Sequence, residues 1–133
     1  MITIRKANTS DEAFILDSFV EEFRASVYCD EVPRTLIRGL LLEKIYSPSW
    51  NVTILCDDET EDEIIAYVVW KDSQHIAWVH VKGIYRRQGF AKQILREINA
   101  DKGRIKTPFI PSPEFSRGVR KAGWNLLHRP WMT

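Results

Sequence analysis

Seven consecutive residues, Arg86-Arg87-Gln88-Gly89-Phe90-Ala91-Lys92, set three cations around a glycine. They fall where an apolar run over residues 75–81 gives way to a segment with Phe90, Ile94, Leu95 and Ile98 on one side of a helical cylinder. The first N–H groups of a helix have no partner inside it and carry the positive end of its dipole, so a helix starting near Gly89 forms an anion site. Gly89 accepts an unusual φ and lets a ligand approach the backbone, Ala91 keeps the next turn small, and Arg86, Arg87 and Lys92 add charge. The chemistry this suits is the holding of a diphosphate. The histidines could move a proton near neutral pH. His75 opens the apolar run, His80 nearly closes it, and His128 lies in the final apolar stretch. By alternation His75, Ala77, Val79 and Val81 share one face, while Ile76, Trp78 and His80 share the other. Only one of His75 and His80 can then face a given reacting group, unless the strand is bulged.

The flanking sequence predicts a frame for these residues. Alternation over residues 2–7 reads as a half-buried strand, and Ser10 caps a helix over 11–27. Pro33 begins a second helix whose apolar face is Leu36, Ile37, Leu40, Leu41 and Ile45, stopped by Ser47-Pro48-Ser49. Residues 50–56, 64–70 and 75–81, rich in β-branched and aromatic types, read as strands. The acidic run 57–63 turns the first pair, and residues 71–74 turn the second. A helix from Gly89 to about Asn99, a strand over 105–110, a helix over 114–122 capped by Gly123 and a closing strand over 124–131 complete the order. The result is a single α/β domain over residues 1–133, order β-α-α-β-β-β-α-β-α-β, with a mixed, mostly antiparallel central sheet flanked by helices.

Composition narrows the classes. With 44% hydrophobic and 28% charged residues the chain reads as an ordinary soluble domain, and no apolar run approaches the roughly 20 residues of a membrane span. The first residues lack the apolar core of a signal peptide, and Cys29 and Cys56 match no metal or redox spacing, so both read as reduced thiols of a cytoplasmic protein. No metal site is expected. The net charge of +1 hides a division: 6 Lys/Arg face 14 Asp/Glu through Trp70, and 13 face 4 from Lys71 onward. Such asymmetry suits two partners of opposite charge.

The run Val81-x-x-x-Tyr85-Arg86-Arg87-x-Gly89-Phe90-Ala91-x-x-x-Leu95 resembles motif A of the GNAT N-acetyltransferases, with its Arg/Gln-x-x-Gly-x-Gly/Ala loop. The order of strands and helices follows that fold over nearly the whole chain. The resemblance implies that the loop amides and Arg86, Arg87, Gln88, Gly89, Phe90, Ala91 and Lys92 hold the pyrophosphate of acetyl-CoA. It also implies that Val79, His80 and Val81 line the pantetheine arm, in a strand that splays from its neighbour. A second family pattern, Asn-x-x-Ala-x-x-x-Tyr-x-Lys-x-Gly-Phe, fits only partly. Lys121, Gly123 and Trp124 match it, whereas Ser112, implied as a further cofactor-binding residue, replaces the asparagine and Val119 the tyrosine that often protonates the departing thiolate.

What the resemblance implies is an acetyl-CoA-dependent N-acetyltransferase that moves an acetyl group to a primary amine of a protein or small molecule, by direct transfer in a ternary complex. His75 and His80 are the candidate bases, and a backbone N–H near Val81 is the candidate oxyanion donor. The acidic stretches Asp30-Glu31 and 57–63 suit a cationic acceptor. The change at Val119 leaves a second expectation, a protein of this fold that binds coenzyme A or a protein partner without turnover. A short closing strand leaves room for a second copy to complete the site as a homodimer. The basic C-terminal half also suits a nucleic-acid module, against which no helix-turn-helix, zinc or RNA-binding signature is present.

Overall fold

The computed structural model describes residues 1–27, 32–60, 63–101, 103–109 and 113–129. Six strands form one sheet in sequence order: β1 (Ile2–Lys6), β2 (Asn51–Asp57), β3 (Glu63–Asp72), β4 (His75–Val81), β5 (Ile105–Thr107) and β6 (Leu126–His128). The first four pair antiparallel, whereas β4–β5 and β5–β6 pair parallel. The helices α1 (Glu12–Val27) and α2 (Arg34–Tyr46) separate β1 from β2. The helices α3 (Phe90–Glu97) and α4 (Pro113–Lys121) supply the crossovers that parallel pairing requires.

Each face of the sheet buries its own core. Ile15, Leu16, Phe19 and Val20 of α1, with Ile37 and Leu41 of α2, pack on Ile54, Tyr67, Val69 and Trp78. Ile94 and Leu95 of α3, with Val119 of α4, pack on Leu55, Val68, Ile76 and Val79. This three-layer arrangement is the mixed sheet flanked by helices that the sequence pattern implies.

Several local expectations are corrected. Asn8, not Ser10, caps the first helix: its side chain accepts from the Ser10 amide at 2.9 Å, and its own N–H donates to Asp11 at 2.8 Å. The 3-10 turn Thr9–Asp11 then runs directly into α1. On α2 the buried stripe is centred on Ile37 and Leu41, while Leu36 and Leu40 are 64% and 41% exposed. Those two lie about 100° around the cylinder from the buried pair, beyond what one packing layer covers. The strands β5 and β6 are three residues each, shorter than the expected 105–110 and 124–131. Trp124 lies in the core rather than in a strand, its indole N–H donating to the Ala100 carbonyl at 3.2 Å.

Strand β4 is also bulged. Its register passes from Val69 opposite Trp78 to Trp70 opposite Ile76, so Ala77 is an extra residue. Strict alternation therefore fails. Ile76 joins Val79 on the α3/α4 side, and Ala77 joins Trp78 on the α1/α2 side.

Candidate functional site

The end of β4 presents backbone as well as side chains. Val81 stands opposite Ala66, and the Lys82 N–H reaches the Ile65 carbonyl at 2.8 Å. In an antiparallel ladder alternate residues turn both backbone groups to the same neighbour, so His80 and Lys82 face β3 while Val79 and Val81 turn theirs away. On that outer side β5 pairs with β4, among the described residues, only where His75 meets Lys106. Beyond that bridge β5 runs only to Thr107. Among the described residues no strand covers the edge at Val79 and Val81, where the Val81 carbonyl accepts from Arg86 Nε at 3.0 Å.

Beyond Val81 the chain makes a 3-10 turn at Gly83–Tyr85 and enters α3 through Gly89, whose φ of 83° is left-handed. Arg87 shares that region at φ 65°. The first backbone bond of α3 runs from the Gln93 N–H to the Gly89 carbonyl at 3.0 Å, so the amides before Gln93 point outward without an intrahelical acceptor. A β-carbon on Gly89 would meet no atom within 4 Å, so φ rather than crowding fixes glycine here.

These parts wall a cleft of about 720 Å³ between β4, the loop, the start of α3 and one side of α4. Five cations line it, Arg86, Arg87, Lys92, Arg117 and Lys121, against a single carboxylate among the described lining residues, Glu22 of α1. Val119 is on its wall as well. The one phenol among those residues, Tyr85, donates to Glu63 at 2.9 Å, and Lys82 reaches the same carboxylate at 2.7 Å. Lys82, and after it Tyr85, hold the Glu63 carboxyl below the usual carboxylate range, and that carboxylate in turn pushes the Tyr85 phenol up.

The residues singled out from sequence are only partly brought together. Val79, Val81, Arg86, Arg87, Gly89, Phe90, Ala91 and Lys92 all line the cleft. Gln88 is turned back, its amide donating to the Ile84 carbonyl at 3.3 Å. His75 is set apart: six residues of extended strand, roughly 20 Å, separate it from Val81, and it pairs with Asp72 at 2.7 Å. His80 is 8% exposed, packed against the Phe14 and Tyr67 rings, with Nδ1 on Glu22. The outcome for Arg86 is the least expected. Its Nη2 donates to Glu22 Oε1 at 2.8 Å and its Nε to the Val81 carbonyl at 3.0 Å, so the guanidinium is directed at α1 and β4.

Of the acidic stretches, Asp57, Asp58 and Glu59 surround the Met1 ammonium at 3.0–3.3 Å and do not line the cleft. Ser112, Asp30, Glu31, Cys29 and Trp131 lie outside the described residues. Among the described residues no group of His, Cys, Asp and Glu is arranged to hold a metal, and no helix is long and apolar enough to cross a membrane.

Glu22 falls at helical spacing with Phe14, Ile15, Ser18, Phe19 and Phe23 in the sequence, but is not among the expected site residues. It continues the buried series Ile15, Phe19 on α1 at helical spacing, so a carboxylate occupies a core-facing position, where a charge needs a partner.

No protein-family model and no curated relative matches the sequence. Solved structures do match. A "possible acetyltransferase" from Clostridium difficile 630 superposes with a TM-score of 0.65 at 13% identity, over 100% of this chain and 95% of that one. A ribosomal-protein-alanine N-acetyltransferase from Brucella melitensis biovar Abortus 2308 gives 0.59 at 13% identity, over 100% and 96%. An acetyltransferase of the GNAT family from Staphylococcus aureus Mu50 gives 0.53 at 12% identity, over 74% and 64%. At these identities the likeness speaks for the backbone, and the backbone is that of the GNAT acetyltransferase fold.

Proposed function

We propose that the protein is a GNAT-family N-acetyltransferase, one domain over residues 1–133, that binds acetyl-CoA in this cleft and passes the acetyl group to a primary amine. One observation carries the reading: a strand edge at Val79 and Val81, covered by no strand among the described residues, leads directly into a cationic cleft at the N-terminus of α3. An extended, amide-bearing arm suits the first, because it can pair with backbone as a strand does. A diphosphate suits the second, where outward amides, Arg87 and Lys92 supply donors and charge.

In the transfer, the neutral amine nitrogen bonds to the thioester carbonyl carbon, and the carbonyl oxygen becomes an oxyanion beside the outward N–H of Val81. The carbon–sulfur bond then breaks and the sulfur leaves as thiolate, while the nitrogen gives its extra proton to a base. His80 is the histidine that serves this reading, through Glu22 on the cleft wall. The free thiol has a pKa near 8.5, so the thiolate can depart and take its proton from solvent.

A second reading has its own support. Val119 lines the cleft at the position where the family pattern carries a tyrosine, and the nearby phenol of Tyr85 is engaged by Glu63. This favours a protein that binds coenzyme A without turnover. Calorimetry with acetyl-CoA on the wild type and on Gly89→Glu, followed by thiol release across a panel of amines, separates the two. Binding lost in Gly89→Glu together with amine-dependent thiol release supports the enzyme. Binding without release on any amine supports the carrier, and no binding at millimolar acetyl-CoA sinks both.

A further inference from the structure

Arg86 belongs by position to the cationic loop, but its side chain serves the opposite wall. Nη2 is on Glu22 Oε1 at 2.8 Å and Nε on the Val81 carbonyl at 3.0 Å, the strand edge where the arm of the cofactor would lie. Glu22 is only 17% exposed and shares the same oxygen with His80 Nδ1. Among the described lining residues it is the single carboxylate on a wall otherwise supplied with cations. A carboxylate so shielded has lost much of its hydration, so another cation is favoured wherever the Arg86 guanidinium is withdrawn. Arg86, at 41% exposure, can swing outward without opening a hole in the core. Its planar fork matches the oxygens of a diphosphate better than a point cation would.

Resting on the acetyl-CoA reading, we infer that Arg86 exchanges between Glu22 and the cofactor's diphosphate, and that Glu22, once the guanidinium has moved, is the subsite for the acceptor's ammonium group. The guanidinium stands in for that ammonium until the cofactor arrives. Its departure takes one partner from a shielded carboxylate beside Val81, and an incoming alkylammonium replaces that charge. Arg86 acts on the acceptor through Glu22, as a positioning residue. The two ligands then assist each other, and the coupling is equal in both directions.

The test is a double-mutant cycle read by calorimetry with coenzyme A. Glu22→Gln removes the competitor for Arg86, so coenzyme A binds about tenfold tighter, within the usual range of such couplings. In an Arg86→Gln background the same change moves the affinity less than twofold. An equal gain in both backgrounds is plain loss of negative charge near an anion, and overturns the exchange. As a second readout, taken on the wild type, the Arg86 Nε–H resonance, assigned by its absence in Arg86→Gln, shifts when coenzyme A is added. An unmoved resonance in a saturated complex overturns the inference. For the subsite, 1,4-diaminobutane binds the wild-type coenzyme A complex at least tenfold more tightly than the Glu22→Gln complex. Equal binding, or none to the wild-type complex, refutes that role for Glu22. Absence of any coenzyme A binding by the wild type would instead overturn the proposed function, and this inference with it.

Discussion

Replacing Gly89 by alanine separates two demands made on one residue. The backbone there is left-handed, φ 83°, and an L side chain pays about 1–2 kcal/mol to adopt it. No neighbour would touch the new methyl, so this conformational cost is the whole expected loss of stability. With a urea dependence of about 2 kcal/mol per M, the unfolding midpoint falls by roughly 0.5–1 M. Gly89 also lines the cleft at the start of α3, where phosphate oxygens must come within about 3 Å of the amides and a methyl would take up part of that space. Acetyl-CoA affinity should therefore fall at least tenfold. Gly39, inside α2 and equally uncrowded, is the control. It has no positive φ, so Gly39→Ala should raise stability by about 0.5–1 kcal/mol and leave affinity within twofold. Denaturant titration and calorimetry on the two variants read both quantities. If Gly89→Ala loses stability but keeps its affinity, the cleft is not the diphosphate site. If it loses neither, the left-handed turn itself is wrong.

Other consequences are simpler. Ile94→Ala, at a wholly buried position, should cost about 2–5 kcal/mol, whereas Leu36→Ala should stay within about 0.5 kcal/mol in the same urea titration. Equal losses would return Leu36 to the core. Tyr67→Phe removes a buried hydroxyl that donates to the Ile15 carbonyl at 3.0 Å and contacts Ser18 at 2.7 Å, for an expected loss of about 1–2 kcal/mol in unfolding free energy. The Arg5 guanidinium, bound bidentately, is the chief cause that holds the Asp11 carboxyl below its ordinary range. A depressed folded-state pKa gives stability that is present above about pH 4 and lost as pH falls through the lower value. Stability of Asp11→Asn should consequently fall less than that of the wild type between about pH 4 and pH 2, and parallel profiles would refute the assignment.

What the sequence made legible follows from the range over which each physical rule acts. The α3 entry is local: a glycine, a small residue and a helical stripe within ten positions define strand end, turn and helix, and the structure differs there by a residue or two. The faces of α1 and α3 are equally local. Errors begin where a decision depends on a partner remote in sequence. Leu36 and Leu40 look buried because they are apolar, yet what covers a helix is decided by the layer it meets, and that layer reaches only Ile37 and Leu41. The bulge at Ala77 is a relation between β3 and β4 that alternation along β4 alone cannot reveal. Arg86 is the extreme case. Its charge and position in the loop suggested an anion, and only the approach of α1, 64 residues earlier, showed that a carboxylate had taken the guanidinium.

The same geometry bears on the rival reading of the basic half of the chain. A nucleic-acid surface needs cations spread along a face or groove that follows the phosphate backbone, over many contacts. Here Arg86, Arg87, Lys92, Arg117 and Lys121 come from a loop, two helices and both sides of one concavity, and they converge on about 720 Å³. That volume falls in the range of sites for small molecules and cofactors. Convergence concentrates the potential on a compact polyanion, and a continuous backbone could meet only part of it. A salt titration therefore distinguishes the two. Acetyl-CoA should bind with a shallow dependence set by the few charges of one ligand, while a nucleic acid tracking all five cations would lose affinity with a slope near −0.9 per contact on a logarithmic scale. A steep slope for DNA or RNA, together with weak acetyl-CoA binding, would reverse the assignment of the cleft.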